Sequence, residues 1–295
     1  MAQAWINAKN ANRLWFHAIS ATALSFHHQR VKHMSALLEA FLSAFHDLAG
    51  HPALVPALLA VALAGSVRGF AGFGGAMLFM PFATFLFDPR LAVVAFFIID
   101  TSITLPLVTN ALRHWDWRTV IPCAVGSWVG VWFGAYLLAT TDTLVLRWTI
   151  CLIIILLVGV MLTGWRYTAR PKAPISLGVG SVAGVLGGIS QVSAPPLVAY
   201  WAAGPFPAQV IRANLICFFF FATLGCLAAF FANGVFTAHT VALAVWLAPA
   251  YGLAIFLGAK LFKGSNDRLF RRVAFSIILI AAVTSLPLLD PFLRA

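Results

Sequence analysis

Charged residues punctuate this chain at intervals that match the thickness of a bilayer. Twenty residues without a charge stand between Asp47 and Arg68, and 19 more between Arg68 and Asp88. Similar runs lie between Arg90 and Arg113 (interrupted by Asp100), Arg118 and Asp142, Arg147 and Arg166, and Arg272 and Asp290. Two runs are longer, with 39 uncharged residues from Lys172 to Arg212 and 47 from Arg212 to Lys260. A helix needs about 20 apolar residues to cross the hydrocarbon core, and no soluble domain of ordinary size hides so many such runs. The expectation is an all-α polytopic membrane protein. The runs are continuous rather than alternating, which excludes the strands of an outer-membrane barrel. The 47-residue run is expected to split into two spans at Asn233-Gly234, and the 39-residue run, rich in Gly and Pro, is too long for one crossing.

Composition agrees. Of 295 residues, 62% are hydrophobic and 9% charged, against about 25% charged in soluble domains. The net charge of +11 comes from basic residues set mostly between the apolar runs. There they orient the chain and meet lipid head groups, so the lipid bilayer is the expected partner and nucleic acid is not. Cys123, Cys151, Cys217 and Cys226 all fall inside apolar runs without metal-ligand spacing and read as small packing residues. His27, His28 and His33 have no Cys or carboxylate partners at ligand spacing, so no metal and no cofactor is expected. No GxSxG, HExxH or P-loop is present, which points away from an enzyme and from an ATP-driven pump.

Three regions follow. Residues 1–50 form an N-terminal extension whose stretch 34–49 carries Leu37, Leu38, Phe41, Leu42, Phe45 and Leu48 on one side, the pattern of an interfacial amphipathic helix. Met34 is a candidate start, and Lys9 with Arg13 ahead of residues 14–26 gives a weak signal-like pattern. Residues 51–170 and 171–295 are two copies of one unit. With an offset of 115, Gly65, Gly69, Gly72 and Pro81 fall on Gly180, Gly184, Gly187 and Pro196, and the tripeptide Gly-Ser-Val opens both stretches. At an offset of 124, Gly134 and Arg147 fall on Gly258 and Arg271. Repeated units with matching interrupted helices are the sequence mark of a secondary transporter site.

Helix breaks inside a membrane free backbone groups that must line a cavity or be buried in protein. Gly65 with Gly69, and Gly180 with Gly184, are small-xxx-small pairs that close helix packing explains. Gly72, Gly74 and Gly75, followed by Pro81, go beyond packing and mark a candidate substrate site. Their counterparts in the second copy are Gly187 and Gly188 with Ser190, Gln191 and Ser193. Three charges complete the set. Arg68 lies within the first motif, either as a ligand or structural pair or as a snorkelling cation; Asp100 lies ten residues into its run, as a charge pair for Arg68 or a carrier of a coupling proton; Arg212 borders its run beside Asn214.

The paired glycine breaks, each followed by a proline, resemble the TauE/SafE family of membrane transporters, also called the sulfite exporter or TSUP family. The residues that carry the resemblance are Gly69, Gly72, Gly74, Gly75 and Pro81, then Gly184, Gly187, Gly188 and Pro196, with Asp116-Trp117 between them. It covers roughly residues 51–290. The resemblance implies a multi-pass protein of the bacterial inner membrane that moves small anions such as sulfite, sulfoacetate or other organosulfur compounds. Ile189, Ser190 and Gln191 depart from it, standing where the family usually keeps more glycine, and suggest a substrate other than sulfite itself. A passive anion channel of the same fold and an intramembrane enzyme are the alternatives.

Charge distribution also predicts topology. If segments 53–87 and 175–203 each cross once, basic residues divide almost evenly between the two faces. If each enters and returns as a hairpin, six full spans remain. Arg113, Arg118, Arg166, Arg170, Lys172, Arg212, Lys260, Lys263, Arg268, Arg271 and Arg272 then share one face, and only Arg90, Arg147 and Arg294 hold the other. That bias satisfies the positive-inside rule, makes the two halves inverted and places both termini outside.

Overall fold

The computed structural model describes residue 32 and residues 34–163, 172–261 and 267–289. The tail histidines and cations expected to be peripheral, apart from Lys32, lie outside the described residues, as do Arg166, Arg170, Lys263 and Arg294. The described residues are helical with no strand. The helices are α1 (Met34–Ala49), α2 (Leu54–Ala71), α3 (Gly75–Leu86), α4 (Pro89–Thr104), α5 (Val108–Ala111), α6 (Trp117–Thr140), α7 (Thr143–Leu162), α8 (Ala173–Ser190), α9 (Ala194–Ala202), α10 (Ala208–Ala232), α11 (Ala238–Leu261) and α12 (Asp267–Thr284).

Local chemistry sets many of the boundaries. Asp88 caps α4 by accepting from the Arg90 N–H at 2.8 Å, with Pro89 in the first turn, and Asp142 caps α7 through the Leu144 N–H at 2.8 Å. α10 stops at the expected Asn233-Gly234, where Gly234 takes a φ of +66°. α1 meets α2 at 91° and leaves Met34, Leu37, Leu38 and Leu42 exposed. Phe45 anchors it by stacking on Trp246 at 4.6 Å.

Contacts between loops fix which ends lie together. At one end, the His51 ring before α2 lies 5.5 Å from Phe87 after α3. Thr143 donates to Asp88, Arg90 donates to the Thr141 carbonyl at 2.6 Å, and Arg147 donates to the Ser285 carbonyl after α12. At the other end, the Asp116 N–H donates to Asn214 at 2.7 Å, and Trp201 near the close of α9 donates to Thr119 at 3.1 Å. Ser176, in the first turn of α8, shares a hydrogen bond with Tyr200 of α9. So α2 and α3 leave the Asp88 end and return to it, while α8 and α9 leave the Asp116 end and return there. Both broken segments are hairpins, entering from opposite ends.

Six described helices have the length and hydropathy to cross a bilayer: α4 continued to Ala111, α6, α7, α8, α10 and α11. They are not the six that the hairpin reading names. α8 qualifies although it is a hairpin arm, because its 18 residues measure about 27 Å. In α12 the apolar stretch is only Ala274–Thr284. The arms α2 and α8 are thus deep, and their tips sit well inside the bundle.

Glycine makes that depth possible. α2 runs parallel to α11, and α8 parallel to α6, at distances where a Cβ would strike the neighbouring backbone. Gly65 faces the Tyr251 carbonyl, Gly69 faces Ile255, and Gly258 faces Ser66. Gly184 faces Ser127, Gly188 faces Val131, and Gly134 faces Val185. Adding 119 to the α2 positions and subtracting 124 from the α11 positions turns the first set of contacts into the second. The helices also start and end 119 residues apart, Leu54–Ala71 against Ala173–Ser190. The offset of 115 drawn from the Gly-Ser-Val tripeptides is therefore about one helical turn out of register with the helices themselves.

Candidate functional site

The first break follows α2. Gly72 closes that helix with φ +79°, its N–H donating to the Arg68 carbonyl at 2.7 Å, and Gly74 opens α3 with φ +93°. Two left-handed positions so close together demand glycine, since a Cβ costs roughly 1–2 kcal/mol at each. No side chain caps the start of α3. Gly75 serves another purpose. A Cβ there would come within 2.5 Å of the Tyr251 hydroxyl and 3.3 Å of Arg68 Cδ. Arg212 is exposed, and its Nε lies 3.5 Å from the place a Gly72 Cβ would take.

The second break follows α8. Here the left-handed residue is Gln191, with φ +58°, the only non-glycine with positive φ among the described residues. Its Nε2 donates to the Gly187 carbonyl at 2.7 Å, which offsets part of the strain. Gln191, rather than Gly187, is therefore the conformational counterpart of Gly72. Ser190 is fully buried and donates back to the Leu186 carbonyl. Gly188 is held against α6, where a Cβ would come within 2.8 Å of the Val131 carbonyl oxygen. α9 then begins at Ala194, after Ser193, with Pro195 and Pro196 in its first turn, so two of its leading N–H groups do not exist.

Behind the first break lies a charge cluster. Arg68 Nε meets Asp100 Oδ1 at 2.8 Å, and Arg68 Nη2 donates to Thr104 at 2.9 Å. Tyr251 donates to the same Asp100 oxygen at 2.9 Å, and the Arg68 guanidinium lies 5.8 Å from the Phe219 ring centre. The pair is largely enclosed, with side chains 12% and 19% exposed. Deleting one partner of such a buried pair strands the other, at a cost of about 3–5 kcal/mol.

A cavity opens beside this cluster, between α4, α6, α8 and α10. Asp100, Thr101 and Thr104 form one wall, and Gly187, Gln191 and Ser193 of the second break face them across it. Ser127, Thr223 and Cys226 add polar atoms, and Phe97, Phe218 and Phe219 supply apolar area. The cavity holds about 40 Å³, room for a few water molecules.

Of the residues expected to bind substrate, then, Gly187 and Gln191 line this cavity together with Asp100, and Arg68 stands one layer behind. Gly75 packs against Arg68, and Arg212 lies beside Gly72. Sequence reasoning missed Tyr251, Thr101, Thr104, Ser127, Thr223 and Cys226. Thr104 had a signal, being one helical turn beyond Asp100 in an otherwise apolar run. Tyr251 had none, because its partners come from distant segments. Among the described residues no three His, Cys, Asp or Glu side chains gather as metal ligands.

The family model described as sulfite exporter TauE/SafE matches residues 57–285, which takes in every helix from α3 to α12 and most of α2. No curated protein and no solved structure matches the chain.

Proposed function

The chain belongs to the TauE/SafE sulfite exporter family, and from that premise we propose that it is a secondary transporter that carries a small organosulfur anion or sulfite through the cavity between α4 and α8. One observation carries this reading. The cavity is closed on one side by a broken helix and on the other by a buried charge pair. The hydroxyls of Thr101 and Ser193 and the second N–H of the Gln191 amide are donors suited to a sulfonate or sulfite oxygen, whereas Ser127 and Thr223 donate to the Ala124 and Phe219 carbonyls. Arg68 supplies the positive charge one layer behind. Gly72 and Gly74 let α2 turn sharply enough to hold Arg68 there, and the uncapped start of α3 adds a positive helix end on the same side.

The two hairpins support inverted halves of residues 51–170 and 171–295 that exchange places as the cavity opens to either face. The charge rule orients them. Arg113, Arg118, Lys172, Arg212 and Lys260 share the Asp116 end, and Arg90 and Arg147 hold the Asp88 end, so the Asp116 end faces the cytoplasm. In a bacterium this places the protein in the inner membrane.

Counterflow tests the reading. Proteoliposomes loaded with an unlabelled anion are diluted into the labelled one, across a panel of sulfite, sulfoacetate, methanesulfonate and acetate. A carrier gives a transient overshoot of label with at least one sulfur anion. A channel of the same fold gives flux with no overshoot. No flux with any member contradicts the proposal.

A further inference from the structure

The cavity is an odd receptacle for an anion. The charged group on its wall is a carboxylate, Asp100, while the matching cation, Arg68, is turned towards that carboxylate and Thr104. An anion entering the cavity meets a like charge first, in a setting where solvent screens poorly. Arg68 is within reach behind Thr104 and Phe219, both of which border the cavity. It has one strong partner to give up.

Resting on the transporter reading above, we infer that the incoming anion and the Asp100 carboxylate compete for Arg68, so that each anion is carried together with one proton held on Asp100. The steps balance. A proton from the aqueous side converts the Asp100 carboxylate to a neutral acid and weakens its hold on Arg68. The anion takes the guanidinium contact that Asp100 releases. On the far side the anion leaves, Asp100 gives up its proton to water, and the pair re-forms. The empty site holds one positive and one negative charge. The site loaded with a monoanion holds the same. Movement of either form therefore carries no net charge, and both forms escape the cost of an uncompensated charge in the membrane.

The surroundings leave Asp100 as the proton carrier. Facing it are Arg68 from α2 and Tyr251 from α11, and the other titratable group on the cavity wall is Cys226 of α10. α3 has no titratable residue, and α6 presents Ser127 and Val131 to the cavity. On α7, Arg147 and Cys151 lie at Ser285, at the Asp88 end of the bundle.

The test uses the full chain in proteoliposomes and the panel anion that shows counterflow, with a fixed-charge sulfonate such as methanesulfonate preferred because it does not itself titrate. A pH gradient alone, with potential clamped by a potassium ionophore, should concentrate the anion on the alkaline side, towards a limit of about tenfold per pH unit for one proton per monoanion. A potential alone should concentrate nothing. Asp100→Asn should abolish the pH-driven accumulation, and whatever counterflow survives in it should not vary with pH. Arg68→Gln should lose counterflow, and Arg68→Lys should recover part of it. Wild-type accumulation that follows potential and ignores the pH gradient overturns the inference while leaving the transporter reading intact, and this result needs no variant to fold. Absence of counterflow with every panel anion overturns both.

Discussion

Two glycines of α8, two residues apart, should respond in opposite ways to the same substitution. Gly178 has nothing within 4 Å of the place a Cβ would occupy. At Gly180 a Cβ would lie 2.6 Å from Cys123 Cα and closer still to the Cys123 carbonyl oxygen. Ordinary contact begins at 3.4 Å, so α8 and α6 would have to part by at least 0.8 Å at this point. The displacement propagates, because Gly184 and Gly188 press on Ser127 and Val131 further along the same pair. Alanine is favoured over glycine in a helix by about 1 kcal/mol, and that gain is common to both sites. At Gly180 it is outweighed by overpacking of about 1–3 kcal/mol, at the upper end here because the obstacle is backbone rather than a movable side chain. Gly178→Ala should therefore be neutral or stabilising by up to about 1 kcal/mol, and Gly180→Ala destabilising by about 1–2 kcal/mol. For a chain of this size each kcal/mol moves a melting midpoint by roughly 2–4 °C. Thermal unfolding of the two purified variants in one detergent, followed by tryptophan fluorescence, reads the difference. Equal midpoints for the two variants would refute the parallel, backbone-to-backbone packing of α8 on α6.

Gln191→Gly removes a left-handed strain of roughly 1–2 kcal/mol and a side-chain hydrogen bond of about 1 kcal/mol, so its melting midpoint should stay near wild type. Gln191→Val keeps the strain and loses the bond, and should melt several degrees lower. Gly74→Val places a branched side chain at φ +93° and should lose anion counterflow while still inserting, as judged by the yield of monodisperse protein. Single cysteines at Thr141 and Asp142 should react with an impermeant reagent from one face of the membrane, and cysteines at His114 and Pro205 from the other.

Much of the fold was legible because charge-free length is a direct consequence of bilayer thickness. The split at Asn233-Gly234, the helix before α2 and the small-xxx-small role of Gly65, Gly69, Gly180 and Gly184 all rest on local chemistry that a sequence displays. The register between the halves was misread, since shared glycines were aligned by identity. Backbone conformation pairs Gly72 with Gln191, and no residue type announces a glutamine in the left-handed region. The glycines of the first break were legible as a break but not as a support for Arg68, because that role depends on Tyr251, which lies 151 residues from Asp100. The same distance in sequence hid the cavity, whose walls come from four helices and whose polar atoms are single Ser and Thr residues scattered through apolar runs.

A native thiol reports on the central claim that this cavity holds the transported anion. Cys226 lines it, whereas Cys123, Cys151 and Cys217 are fully buried away from it. With those three replaced by alanine, the rate at which a small methanethiosulfonate reagent modifies Cys226 can be followed by mass spectrometry at rising concentrations of the anion that shows counterflow. The anion should slow modification severalfold, with a half-maximal concentration equal to that for counterflow. Modification that proceeds at the same rate under saturating anion would contradict that claim and place the site elsewhere in the bundle.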